Sequence, residues 1–272
     1  YNAVNMKALR HELFRAKDLD YDMIKSYVRL PDEFQQILIE EAHKMGIPLS
    51  SHEIAPAVQN GMDSVEHIGA TSRRGYSPKL SYAGKSYGDV INIISGSGLF
   101  ITPTATLDTA YHSYIQELPE YVSNIKYRTF LDEYQRDGLR RTISRPYAIL
   151  EMQKTAAVNE TIKKLHDAGA NVAAGTDSPF LPYGIAQHFE IFQFVDAGLT
   201  PADALRAATI KVAQNIGVEN DLGSIEVGKL ADMVIVDGDP LNDIRDILNV
   251  EATIKGGHLY TIKELTTNIG DR

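Results

Sequence analysis

The chain has 272 residues, 43% hydrophobic and 23% charged, a balance that excludes a disordered, collagen-like or coiled-coil protein. Its 27 Lys and Arg against 36 Asp and Glu give a formal charge of −9, which argues against a nucleic-acid partner, and no apolar run approaches the ~20 residues that span a bilayer. It has no Cys, so a disulfide framework, a thiolate metal site and a thiol nucleophile are all excluded.

The first residue, Tyr1, is not an initiator Met and no signal peptide opens the chain, so the sequence reads as starting inside a longer protein. Met6, Leu9, Leu13 and Phe14 recur at helical spacing and predict a helix over residues 5–17. Residues 22–30 read as a strand stopped by Pro31 and Asp32, with Asp32 as the N-cap of a helix over 33–45 that Gly46 closes. A short strand over 47–51 follows, ending at His52; a short helix over 55–60 and a strand over 64–68 repeat the pattern. Residues 69–84 form a polar loop with Arg73 and Arg74, then come a helix over 89–95 and a strand over 99–102. The Tyr-rich stretch 108–146 reads as irregular helices, and 147–168 as a strong amphipathic helix closed by Gly169. Residues 171–174 form a strand that runs into Gly175-Thr176-Asp177-Ser178. Helices follow over 185–196 and 201–216, the second with Thr200 as N-cap and Pro201 at its first position. Beyond residue 222 the character changes: 231–237, 252–254 and 258–262 alternate like strands between Gly-rich turns.

Strands separated by helices imply βαβ units and a parallel sheet. Five such strands, ending near residues 29, 52, 67, 104 and 177, fit the last five units of a (β/α)8 barrel over residues 1–222, with residues 223–272 as a β-rich segment.

Parallel α/β proteins place their sites at strand C-termini. His52 and His67 end successive strands fifteen residues apart, Asp177 ends the last, and Lys25 lies within the first. Two imidazoles from adjacent strands can converge on one metal ion, with a carboxylate completing the site or acting as base. Singly, each residue has an ordinary structural explanation as a turn, cap or edge residue; together, at successive strand ends, His52, His67 and Asp177 point to one site. Of the other histidines, His43 and His166 lie near helix C-termini, where an imidazole suits the helix dipole. His11 reads as helix surface, His258 belongs to the tail, and His112 and His188 stay open as pocket-mouth candidates.

Five segments carry a resemblance: residues 41–48 (EAHKMGIP) running into Ser51-His52, 60–67 (NGMDSVEH), 173–178 (AAGTDS), 197–205 (AGLTPADAL) and 223–241 (GSIEVGKLADMVIVDGDPL). They resemble the amidohydrolase superfamily, in its imidazolonepropionase-like and prolidase-like branch, over nearly the whole chain. The last segment resembles that family's return to a small β-sandwich after its barrel. Residues 21–30 and 69–78 are also similar to members that follow an exported, TolB-like β-propeller domain, which favours an exported or periplasmic location.

The resemblance implies a metal-dependent hydrolase of amide, cyclic amide or Xaa-Pro-like peptide bonds, acting through metal-activated water on a small-molecule or dipeptide-like substrate. It implies a divalent cofactor, zinc first among the ions that N/O donors suit, with one or two ions in the whole enzyme. On the family pattern His52 and His67 bind metal. Asp177 binds metal and takes the proton of the attacking water, and Lys25 corresponds to a carboxylated lysine that bridges two metals. The family's His-x-His pair has no counterpart, since no two histidines here are separated by one residue. The chain therefore reads as a C-terminal fragment, with the hydrolase activity assigned to the parent enzyme and inactivity of the fragment alone left open, and its open strand edges predict a homo-oligomer. A non-catalytic reading stays beside this one: a metal-poor fragment or degenerate domain serving in binding or assembly. A barrel for a phosphorylated ligand is disfavoured, because no Gly-rich phosphate loop follows the last strands.

Overall fold

Five short strands, each flanked by helices, build the sheet that organises this chain. A computed structural model describes residues 5–27, 30–54, 57–68, 87–108 and 110–267; the polar loop 69–84, with Arg73 and Arg74, lies outside the described residues. Strands β1 (Ile24–Ser26), β2 (Leu49–Ser51), β3 (Ser64–Glu66), β4 (Phe100–Thr102) and β5 (Asn171–Val172) pair in parallel, in chain order. Sequential order with right-handed crossovers puts the connecting helices on one face, whereas a doubly wound sheet requires a reversal of order.

The strands are shorter than the sequence pattern suggests. Of the stretch 22–30, Ile24 to Ser26 pairs with β2, and residues 28 and 29 lie outside the described residues. The strand expected over 64–68 stops at Glu66 because His67 turns into the left-handed region, with φ 55°. Its amide still reaches the sheet, donating to the Thr102 carbonyl at 2.8 Å.

Helix α1 (Met6–Asp18) starts at Asn5, whose side chain accepts the Ala8 amide at 2.9 Å. It buries Leu9 and Leu13 against α2 (Asp32–Lys44), which contributes Leu38, Ile39 and Ala42 to the same small core. Phe14, expected on that apolar face, is instead 58% exposed. Pro31, not Asp32, occupies the cap of α2; its carbonyl accepts the Phe34 and Gln35 amides. Asp32 and Glu33 thus fall in the first turn, where carboxylates favour the positive helix end.

After α3 (Gly88–Ser97) and β4 come α4 (Ala105–Asp108), α5 (Tyr111–Glu117), α6 (Ile125–Phe130) and α7 (Glu133–Ser144), short helices in the region read as irregular. The amphipathic helix α8 (Ile149–Asp167) then leads to β5. Helix α9 (Ile185–Asp196) is buried over most of its length, with Phe189, Phe192 and Phe194 fully enclosed. The stretch 201–216 is not one helix but two, α10 (Pro201–Ala207) and α11 (Ile210–Ile216). The Ala207 carbonyl accepts the Ala174 amide at 2.9 Å, so it joins the end of the β5 segment instead of continuing the helix. The expected Thr200 cap is present, accepting the Asp203 amide at 3.1 Å.

A second, antiparallel sheet follows, β6 (Met233–Val236), β7 (Val250–Lys255) and β8 (His258–Thr261), in that order. Gly256 and Gly257, with φ 57° and 81°, make the tight turn between β7 and β8; two consecutive positive φ angles match the twist of a hairpin. The preceding 3₁₀ turn Ile244–Leu248 docks on α9: Ile244 and Ile247 join the larger core, and the Arg245 guanidinium lies 4.4 Å from the Phe192 ring centre. Among the described residues no helix is long and apolar enough to cross a membrane.

Candidate metal centre

Each side chain of the predicted constellation lies at or near the C-terminal end of a parallel strand. Lys25 is the middle residue of β1, His52 directly follows β2, and His67 directly follows β3. Asp177 follows β5 after Gly175, where an added Cβ would lie 2.4 Å from the Thr102 Cγ2. Glycine there lets the loop close against β4, and this brings the aspartate toward β3. Gln35, buried on α2, donates to the hydroxyls of Ser26 and Ser51 at 3.2 and 2.9 Å, fixing the ends of β1 and β2 beside His52.

Four non-glycine residues among those described have positive φ, and three of them are here: His67 (55°), Thr104 (46°) and Asp177 (51°). Such conformations cost on the order of 1–3 kcal/mol each and gather where function requires them. A β-branched threonine at positive φ is a genuine outlier.

The geometry brings the four predicted residues together. The rings of His52 and His67, both buried, meet edge to face with centres 4.7 Å apart. Asp177 Oδ2 lies 3.6 Å from His67 Nε2, and Lys25 Nζ lies 3.4 Å from the same nitrogen. On the outer side the exposed Tyr27 ring packs edge-on against His52 at 4.9 Å.

The proton on His67 can be assigned from its network. Thr104 Oγ1 donates to the Pro103 carbonyl at 2.8 Å, which uses its one proton. With the hydroxyl so oriented, its oxygen accepts from His67 Nδ1 at 2.5 Å, which favours the Nδ1–H form. Nε2 is left with a lone pair, which accepts from the Lys25 ammonium. This is the tautomer a metal-binding imidazole needs.

The donor chemistry and one spacing fit a divalent ion. Two donors that each sit ~2.0–2.2 Å from a common ion are at most ~4.4 Å apart, and the 3.6 Å between His67 Nε2 and Asp177 Oδ2 satisfies this. Among the described residues, however, no group of three His, Asp or Glu side chains is arranged to hold an ion. His67 and Asp177 form a two-donor nucleus, with His52 and Lys25 as neighbours.

Sequence reasoning missed two residues of the surroundings, Thr104 and Glu190. Glu190, on α9, is fully buried and its carboxylate accepts the Ala105 and Thr106 amides at 2.9 Å each and the Thr106 hydroxyl at 2.6 Å. The available signals were a polar residue just after β4 and an acid between apolar residues of α9.

The remaining histidines lie elsewhere. His43 pairs with Asp63 at 2.8 Å, and the same Asp63 oxygen accepts the Leu49 amide, a tie at the opposite, N-terminal ends of the strands. His112 is buried between Arg145 and Glu151, at a cavity of about 390 Å³ that Leu107 and Tyr111 also line. His166 lies 3.9 Å from Asp203, the His258 ring packs on Tyr260, and His11 is exposed.

Comparison with known proteins adds an independent line. The amidohydrolase family model matches residues 24–260. The chain is 36% identical over 110 residues to an imidazolonepropionase of Geobacillus sp., a match covering 37% of this chain and 25% of the relative. It is 40% identical over 94 residues to a 5-methylthioadenosine/S-adenosylhomocysteine deaminase of Thermoanaerobacter pseudethanolicus, covering 31% and 21%. Among solved structures, a Xaa-Pro dipeptidase with bound methionine superposes with a TM-score of 0.65 at 21% identity, covering 94% of this chain and 58% of that one. At that identity the likeness shows a shared fold. The chain spans about a quarter of the length of the curated relatives and 58% of the dipeptidase.

Proposed function

The chain belongs to the amidohydrolase family, and from that premise we propose that it forms the C-terminal part of a metal-dependent hydrolase of carbon–nitrogen bonds. Residues 1–222 supply the last five units of a (β/α)8 barrel, and residues 223–272 supply strands of a small β-sandwich. The observation that carries the reading is the convergence of Lys25, His67 and Asp177, with His52 in ring contact, at the C-terminal ends of parallel strands. The substrate classes, amides, cyclic amides and Xaa-Pro-like peptides, are those implied by the resemblance of the sequence to the family.

In this reading His52, His67 and Asp177 hold a divalent ion, and Lys25, which as an ammonium has no lone pair, is a candidate ligand only when carboxylated. Such an ion, when bound, supplies Lewis acidity that polarises a scissile carbonyl and lowers the pKa of water. The protein's own contributions are distinct. Asp177, about one-third exposed, offers one carboxylate as base for the attacking water and as donor of that proton to the leaving nitrogen. The buried imidazoles keep one side of the site dry.

The second reading, a binding or assembly domain without catalysis, draws on the missing third donor among the described residues. One experiment separates them. Zinc added to chelator-treated protein should raise hydrolysis of an Xaa-Pro dipeptide or a cyclic amide. Asp177→Asn, which keeps the shape and loses the base, should lower kcat by ~10²–10⁴ with a smaller change in KM. Hydrolysis that ignores both zinc and the substitution, or no hydrolysis with zinc bound, favours the second reading.

A further inference from the structure

We infer that Thr104 and Glu190 are positioning residues for His67: together they fix which ring nitrogen carries the proton and where the other one points. The metal arm of this inference rests on the reading of His67 as a ligand; the tautomer arm does not.

Glu190 is a carboxylate with no exposure, placed in the middle of a largely buried helix among Phe189, Ile191 and Phe192. Burying a charge there is unfavourable unless strong, well-aligned donors meet it. Three of the donors it meets come from two consecutive residues. The Ala105 and Thr106 amides and the Thr106 hydroxyl open α4, and the amides of a first helical turn have no partners within the helix. Three charge-assisted bonds from one short segment leave it little freedom.

That segment begins directly after Thr104. The left-handed φ of Thr104, 46°, is unfavourable for a β-branched residue, so an isolated chain would relax out of it. The clamp on residues 105 and 106 holds the backbone on one side. On the other, the Ile68 amide donates to the Pro103 carbonyl at 2.9 Å and the His67 amide to the Thr102 carbonyl at 2.8 Å. Between these two fixed points Thr104 places its hydroxyl 2.5 Å from His67 Nδ1 while donating to the Pro103 carbonyl. A hydroxyl oxygen so constrained is an acceptor. It selects the Nδ1–H form and turns Nε2 toward Asp177 and Lys25. A glutamate on α9 thereby acts on the strand-end histidine through two backbone amides and one hydroxyl.

A purely structural role for Glu190 would make these residues matter for stability alone. The test therefore reads tautomer and affinity as well as folding. Nitrogen-15 NMR of metal-free protein should show His67 in the Nδ1–H form. Thr104→Val, which removes the hydroxyl at nearly constant shape, should convert a substantial part of it to the Nε2–H form. The same variant should weaken zinc affinity, measured by competition with a chromophoric chelator, by ~10–100-fold, the usual effect of losing an outer partner of a metal-bound histidine. Thr104→Ser should restore both readouts. Glu190→Gln, which keeps an acceptor oxygen but loses the charge, should move both in the same direction and by less; should it fail to fold, the Thr104 pair decides alone. A His67 tautomer unchanged in Thr104→Val would overturn the inference. If zinc fails to bind even the wild type while the tautomer still shifts, the positioning role stands and the metal reading falls.

Discussion

His67→Ala should remove zinc binding, lowering affinity by more than the ~10–100-fold that accompanies loss of an outer-shell partner. The substitution deletes the only imidazole nitrogen that faces both Asp177, at 3.6 Å, and Lys25, at 3.4 Å, among the described residues. What remains is a single carboxylate beside an ammonium ion, a pair that neutralises itself and has little reason to take up a cation. His52→Ala should weaken binding as well, because its ring lies against that of His67 with centres 4.7 Å apart. His43→Ala is the control. Its imidazole is tied to Asp63 at the other end of the strands, so affinity there should stay at the wild-type value. Chelator competition on all three variants, with circular dichroism to verify folding, measures the differences. Equal affinities for His67→Ala and the wild type would remove His67 from the site.

The stability of the folded chain should rise between pH 4 and 6.5 by an amount that depends on His188. This side chain sits on α9 beside the fully buried Phe189. Burial, helped by the Lys126 ammonium, pushes its pKa down to about 4, from an ordinary 6.5. Lys126 stays close because its Nζ donates to the Val250 carbonyl at 2.7 Å. Between the two pKa values the unfolded chain binds a proton that the folded chain refuses, so acid favours unfolding there. The full gap is worth about 3 kcal/mol, lost as pH falls from about 6.5 toward about 4 and constant below. His188→Gln cannot take up that proton and should flatten this part of the profile. Denaturant unfolding at several pH values measures it, and parallel profiles for the two proteins would contradict the assignment.

Much of the site was legible in the sequence because parallel α/β architecture converts position into location. A residue just after a strand lies at the C-terminal edge of the sheet, so His52, His67 and Asp177, far apart in sequence, could be placed near one another. Lys25, inside its strand, entered the site only through the family resemblance. What could not be read were interactions that depend on tertiary approach. Thr104 looks like an ordinary strand-end residue until His67 comes within 2.5 Å of it. Glu190 looks like a surface residue of an amphipathic helix until α9 is found enclosed on nearly all sides. The break between α10 and α11 has a similar origin. Residues 201–216 have helical spacing throughout, and only the reach of the Ala207 carbonyl to the Ala174 amide divides them.

The central claim is that these strand ends hold a metal ion, and the most direct measurement is the position of zinc itself. Crystals of zinc-loaded protein should show an anomalous scattering peak ~2.0–2.2 Å from His67 Nε2 and from an Asp177 oxygen, with His52 turned toward the same ion. No peak at the strand ends, or zinc held only by the separate His112 and Glu151 cluster, would contradict the account.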